Sequence, residues 1–153
     1  MINRLRSSKG VSLIETLVVL VILAALLAVG LPKLMGTAQQ QGVRNAKANL
    51  RTMVAVARAA SVQRGCRSTL NVQSSGRVWV TACRVFGAGG TLDTVGDIRD
   101  FHAQFGVTVN PGADSINFDP RGLKTNYNTV AFRFVYGPVS DSIVVNALGK
   151  VIR

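Results

Sequence analysis

Hydrophobic positions change their spacing twice along this chain, and each change marks a different kind of element. From 11 to 31 they are nearly continuous, VSLIETLVVLVILAALLAVGL, a run of 21 residues. As a helix it would reach about 31 Å, the thickness of a bilayer's hydrocarbon layer. Arg4, Arg6 and Lys9 stand immediately before it. The positive-inside tendency therefore holds residues 1–10 in the cytoplasm and sends the chain beyond Pro32 outward. A secretory signal would have a shorter apolar core closed by small residues on the far side, whereas Ala24-Ala25 lies inside this run.

After Pro32 the spacing becomes helical. Gly30, Gly36 and Gly42 recur around that proline, and since glycine and proline both weaken a helix, this stretch is expected to bend or melt most easily. Past it, Val43, Ala46, Leu50, Met53, Val54, Ala57 and Ala60 share one face, which should pack under a folded domain. Arg44, Lys47, Arg51 and Arg58 form a narrow stripe away from that face, and no acidic residue occurs between Lys33 and Arg64. The stripe is either a solvated surface or a contact for an acidic protein or polyanion. Gly65 supplies the helix stop.

Alternation takes over from there. CRSTLNVQSSGRVWVTAC has strand-like runs around Ser74-Ser75-Gly76 and reads as a hairpin. With the turn centred between Ser74 and Ser75, residues whose numbers sum to 149 face each other. Cys66 and Cys83 meet that condition at the open end, where an exported domain would oxidise them; a pair of reduced, buried thiols is the other reading. Trp79 reads as core. The glycine-rich, acidic stretch 87–100 reads as a loop with a helical turn near 97–101. Further strands are expected over 105–110, 115–119, 129–136, 142–146 and 150–153. The resulting fold class is α+β: a long N-terminal helix, half membrane-spanning and half amphipathic, packed on an antiparallel β-sheet head.

Charge and chemistry narrow the function. The 153 residues carry 18 Lys and Arg against 7 acids, a surplus that favours anionic partners such as nucleic acid, acidic headgroups or an acidic protein face. No catalytic constellation is visible: His102 is the one histidine and sits in a polar stretch, and no Walker loop or nucleophile elbow occurs. Asp93, Asp97 and Asp100 lack the ligand spacing of a calcium loop, and the cysteines belong to no metal motif, so neither metal nor cofactor is expected. Glu15 is the discordant residue. A carboxylate at mid-bilayer costs roughly 2.5 to 3.5 kcal/mol, so it either stays near the headgroups, is protonated, or awaits a positive group on a neighbouring chain.

Lys9-Gly10-Val11-Ser12-Leu13-Ile14-Glu15-Thr16-Leu17 resembles the type III leader and processing motif of type IV pilins and type II secretion pseudopilins. The resemblance implies cleavage after Gly10 by prepilin peptidase, N-methylation of Val11, and a role for Glu15 in assembly; the family usually has phenylalanine where Val11 stands. A freed amine at Val11 would pair with Glu15 of an adjacent helix in low dielectric. Phe118-Asp119-Pro120-Arg121-Gly122, a strand from Val130 to Tyr136, and Ile143-Val144-Val145-Asn146-Ala147-Leu148-Gly149-Lys150-Val151 are similar to the heads of the GspH/FimT group of minor pilins and pseudopilins. That group implies a filament subunit near the tip, held at first in the inner membrane and surrounded by other pilin or pseudopilin subunits. It also includes a pilus protein that binds DNA for uptake through a Gly-Arg-x-Arg tail. Here the tail is Gly149-Lys150-Val151-Ile152-Arg153, two cations at another spacing. The DNA alternative would draw on Arg44, Lys47, Arg51, Arg58, Arg121, Lys124, Lys150 and Arg153. The expected organisation is a leader over 1–10, a membrane and polymerisation helix over 11–32, an amphipathic helix over 33–65 and a β-rich head over 66–153.

Overall fold

The computed structural model describes residues 12–84 and 91–152. The chain divides into two compact units, Met1–Thr37 and Ala38–Arg153.

Helix α1 covers Leu13–Arg64. Within the first unit its backbone starts from Ser12, whose carbonyl accepts from the amides of Glu15 and Thr16. Between 13 and 31 every large apolar side chain is at least 49 % exposed, so among the described residues this half forms no core of its own, and so large an apolar surface marks a contact with lipid or with other protein. It is long and apolar enough to cross a membrane. Gly30, Pro32 and Gly36, where the sequence predicts bending or melting, are helical. Penalties of about 1 kcal/mol per glycine do not break a ladder that continues on both sides.

In the second unit α1 buries Val43, Ala46, Leu50, Met53, Val54, Ala57 and Ala60, the face that the periodicity predicts. Gly42 has a packing role: a Cβ there would lie 2.8 Å from the Phe105 carbonyl oxygen and 3.0 Å from the Tyr136 ring. The helix ends in a Schellman turn, with Cys66 N–H donating to Ser61 O, Gly65 N–H to Val62 O, and Gly65 at φ 60.

Strands β1 (Ser68–Val72), β2 (Arg77–Cys83) and β3 (Leu92–Asp100) come next, then α2 (Phe101–Phe105). The remaining strands are β4 (Thr108–Pro111), β5 (Ser115–Phe118), β6 (Val130–Tyr136), β7 (Val139–Val145) and β8 (Val151–Ile152). They form two four-stranded antiparallel sheets, β3-β2-β1-β5 and β4-β6-β7-β8, where the sequence suggested one. Both contribute to one core with α1, centred on Leu50, Leu70, Ile116, Phe118, Phe132 and Phe134.

One turn geometry recurs. At Gln73–Arg77, Asp119–Leu123 and Asn146–Lys150 the first residue's N–H donates to the carbonyl four residues on. In each the glycine at the fourth position donates back to the first carbonyl at positive φ. This is a three-residue loop with a glycine bulge, one residue longer than the tightest hairpin turn. It moves the β1–β2 register: Ser68 faces Ala82 and Leu70 faces Val80, so facing residues sum to 150 rather than 149. Cys66 and Cys83 are nonetheless disulfide-bonded, with Cα atoms 6.2 Å apart. Cys66 precedes β1 in the helix–strand connection and is free of the ladder's alternation.

Other differences have equally local causes. Much of the expected 87–100 loop is the edge strand β3, with a bulge opposite Val78 and Val80; residues 85–90 lie outside the described set. The helical turn begins at Phe101, because the Asp100 carboxylate accepts from Ala103 N–H and caps it there. Gly106, at φ 68, closes α2, which delays the strand expected from 105 until Thr108. The Gly137-Pro138 turn lets β7 start at Val139. Trp79 is half-buried on the outer face of its sheet, opposite Asn71, because the even-numbered residues of β2 point inward.

Candidate assembly element and head surface

Glu15 lies in the first turn of α1 and is exposed, beside Thr16, Val19 and Leu20. Thr16 Oγ1 donates to Leu13 O at 2.8 Å, which occupies the neighbouring hydroxyl locally. A carboxylate at a helix N-terminus is favoured by the macrodipole, yet it stands at the head of an apolar surface. Gly10 and Val11, the expected processing residues, lie outside the described residues.

The expected cations of the head divide into three kinds. Arg44, Arg51 and Arg58 are exposed along α1. Lys47 is half-buried, and its Nζ pairs with Asp141 Oδ2 on β7, so it ties helix to sheet rather than continuing the stripe. Sequence reasoning missed this pairing because the two lie 94 residues apart.

Lys124 is also removed from the surface. It is buried, makes an isolated bridge through its backbone with Phe118, and donates its Nζ to Asn128 O. Burial pushes its pKa below the ordinary 10.5. Between the lowered folded value and 10.5 the unfolded chain binds more protons than the folded one, so Lys124 makes stability rise with pH across that window. Lys124→Met should remove this rise. Denaturant midpoints of the two proteins, followed from neutral pH to about pH 10, should diverge in favour of the native chain as pH increases; parallel curves would count against a penalised lysine.

Arg121 and Lys150 are exposed on two of the recurrent turns. Both turns are fixed the same way. Asp119 Oδ1 accepts from Arg121 and Leu123 N–H at 3.0 and 2.8 Å, and Asn146 Oδ1 from Leu148 and Lys150 N–H at 3.1 and 2.8 Å. A Cβ on Gly122 would stand 3.1 Å from Arg58 Cγ, and one on Gly149 would stand 2.7 Å from the Phe118 ring. The turns bearing Arg121 and Lys150 and the helix turn bearing Arg58 are therefore close neighbours. Arg153 lies outside the described residues.

His102 is exposed on α2, with no group of three metal-ligating side chains among the described residues. At the far end of the helix, Arg64 Nη1 donates to Cys83 O at 2.9 Å and stands 3.8 Å from Asp93, joining the disulfide corner to β3.

Residues 5–31 match the prokaryotic N-terminal methylation motif. Residues 46–149 match type II transport protein GspH, a span covering the amphipathic half of α1 and nearly all of the head. The chain belongs to the GspH family.

Two crystal structures of the type IV minor pilin FimU of Pseudomonas aeruginosa strain PAO1 share the fold of this GspH-family chain. They match at TM-scores of 0.57 and 0.55 with 10 % and 13 % sequence identity. The matches cover 76 % and 71 % of this chain and 90 % of each pilin chain. At those identities the likeness concerns the fold. No curated protein sequence matches the chain.

The GspH-family chain is thus a minor pilin or pseudopilin with a prepilin motif, consistent with assembly into a type IV pilus or a type II secretion system. Membership points to a structural subunit and to other pilins and prepilin peptidase as partners. The motif and the uncovered apolar helix fit an inner-membrane-anchored pilin.

Proposed function

We propose that this chain is cut after Gly10 by prepilin peptidase, methylated at Val11, and built into the tip region of a filament through α1, with the head outside the cytoplasmic membrane. The observation that carries this reading is Glu15, an exposed carboxylate on the first turn of a helix whose apolar N-terminal part is unburied. A freed, cationic amine at Val11 of an adjacent subunit is the complement such a group lacks. Pairing within packed apolar helices would offset the cost of keeping the carboxylate there. The Cys66–Cys83 disulfide supports an oxidising location for the head.

The leader assignment is tested by replacing Gly10 with a bulky residue such as leucine. The chain should then accumulate as a membrane-held precursor, larger on a denaturing gel by the 1–10 segment. A mature-sized product would end the assignment.

A second reading, capture of DNA for uptake, is favoured by the juxtaposition of Arg58, Arg121 and Lys150 on neighbouring segments. Lys47 and Lys124 drop out of it, being paired and buried respectively. Contacts from such a cluster would go mainly to phosphates, and binding would fall steeply with salt.

A further inference from the structure

On the exposed side of α1 within the head, Arg44, Arg51 and Arg58 succeed one another every seven residues, about 10.5 Å apart along the axis. Ala48 and Ala55, also exposed, repeat at the same interval beside them. Lys47, between Arg44 and Arg51, is turned to Asp141 and leaves an all-arginine row. The two ion pairs of the described residues, Lys47–Asp141 and Arg64–Asp93, engage none of the three.

We propose that this face docks an acidic helix of a second pilin-type subunit, whose Asp or Glu residues repeat every seven residues and sit against Arg44, Arg51 and Arg58. The proposal rests on the filament reading and names the partner's chemistry. A merely solvated face has no need of a fixed interval. A helix lying nearly along another returns its side chains to the seam every seven residues, so a straight row of cations at that interval matches a row of carboxylates. Alanines beside the row keep the surface low enough for a partner backbone to approach. Arginine suits the contact better than lysine, because its planar fork takes a carboxylate in two parallel hydrogen bonds. Duplex phosphates wind around their axis, and a straight row tracks one strand only briefly.

The test places a photoreactive phenylalanine analogue at Ala55 of the full chain in cells that assemble the filament. The crosslinked peptide is then identified by mass spectrometry. It should come from a helix of another pilin-type subunit with acids seven residues apart. Arg44→Glu, Arg51→Glu and Arg58→Glu together should lower the yield about tenfold or more, and changing the partner's acids to lysine should restore it. That restoration separates a lost contact from a misfolded head, which intact Cys66–Cys83 pairing also monitors. Crosslinks to DNA or to a non-acidic surface overturn the proposal. So does the absence of a crosslink from a chain present in filaments, or a yield indifferent to charge reversal. A native chain that never enters filaments removes the filament reading itself, and the docking proposal with it.

Discussion

Replacing Glu15 by alanine should leave leader cleavage and membrane insertion intact while reducing the chain's recovery in sheared filaments on the order of a hundredfold. Insertion should not suffer, because the substitution removes a carboxylate from an apolar helix and relieves part of a cost that reaches roughly 2.5 to 3.5 kcal/mol at mid-bilayer. Cleavage is expected to survive because the proposed scissile position, after Gly10, precedes Glu15 in the sequence and does not include it. Assembly is where the loss falls: truncating one partner of a desolvated, hydrogen-bonded charge pair costs about 3 to 5 kcal/mol, since the other charge is left uncompensated. Each 1.4 kcal/mol is a factor of ten in an equilibrium, so even the lower figure exceeds a hundredfold. Immunoblots of membrane and sheared fractions measure both quantities in one preparation. Filament levels equal to those of the native chain would show that Glu15 does not recruit the neighbouring amine, whatever the leader does. Glu15→Gln distinguishes charge from shape: it keeps the size of the side chain and should fail nearly as badly as alanine.

The parts of this fold legible from sequence are those where a single period governs many residues. The buried face of α1 from Val43 to Ala60 obeys helical spacing, and β6 obeys alternation between Val130 and Tyr136. The glycine of each recurrent turn is visible in the sequence, but the loop length is not, and one residue of length shifts the β1–β2 register. Strand β3 is hidden for a different reason. As an edge strand it fully buries none of Leu92–Asp100, so no apolar alternation marks it. Trp79 shows the cost of a one-residue shift, since inward and outward positions exchange with it. Among the candidate contacts, composition identifies the cations but not their surroundings. Lys47 and Lys124 are consumed by Asp141 and by the Asn128 carbonyl, partners whose proximity depends on the assembled head. Glu15 needs no structure, because a carboxylate in a long apolar run is anomalous by composition alone.

Removing the disulfide as Cys66→Ala/Cys83→Ala should cost the head about 3 kcal/mol, the chain-entropy value for a loop of this size, the two cysteines standing 17 positions apart in the sequence. The loop encloses the whole β1–β2 hairpin, and its ends are the connection just after α1 and the last residue of β2. Without the bond that corner retains the Arg64 hydrogen bond to Cys83 O and a long-range ion pair to Asp93, both partly exposed. Partly exposed pairs contribute little, typically below about 1 kcal/mol, so they should not compensate. The midpoint of thermal unfolding of the full chain in detergent should fall by about 10 °C. Reductant should lower the midpoint of the native chain but not that of the variant. Because the loss enters through the unfolded chain's freedom, the buried core should survive, leaving the aromatic bands of the near-ultraviolet dichroism unchanged below the transition. Equal midpoints with and without the bond would mean that the strand ladder alone closes this corner. In that case the disulfide would contribute nothing to the head's stability.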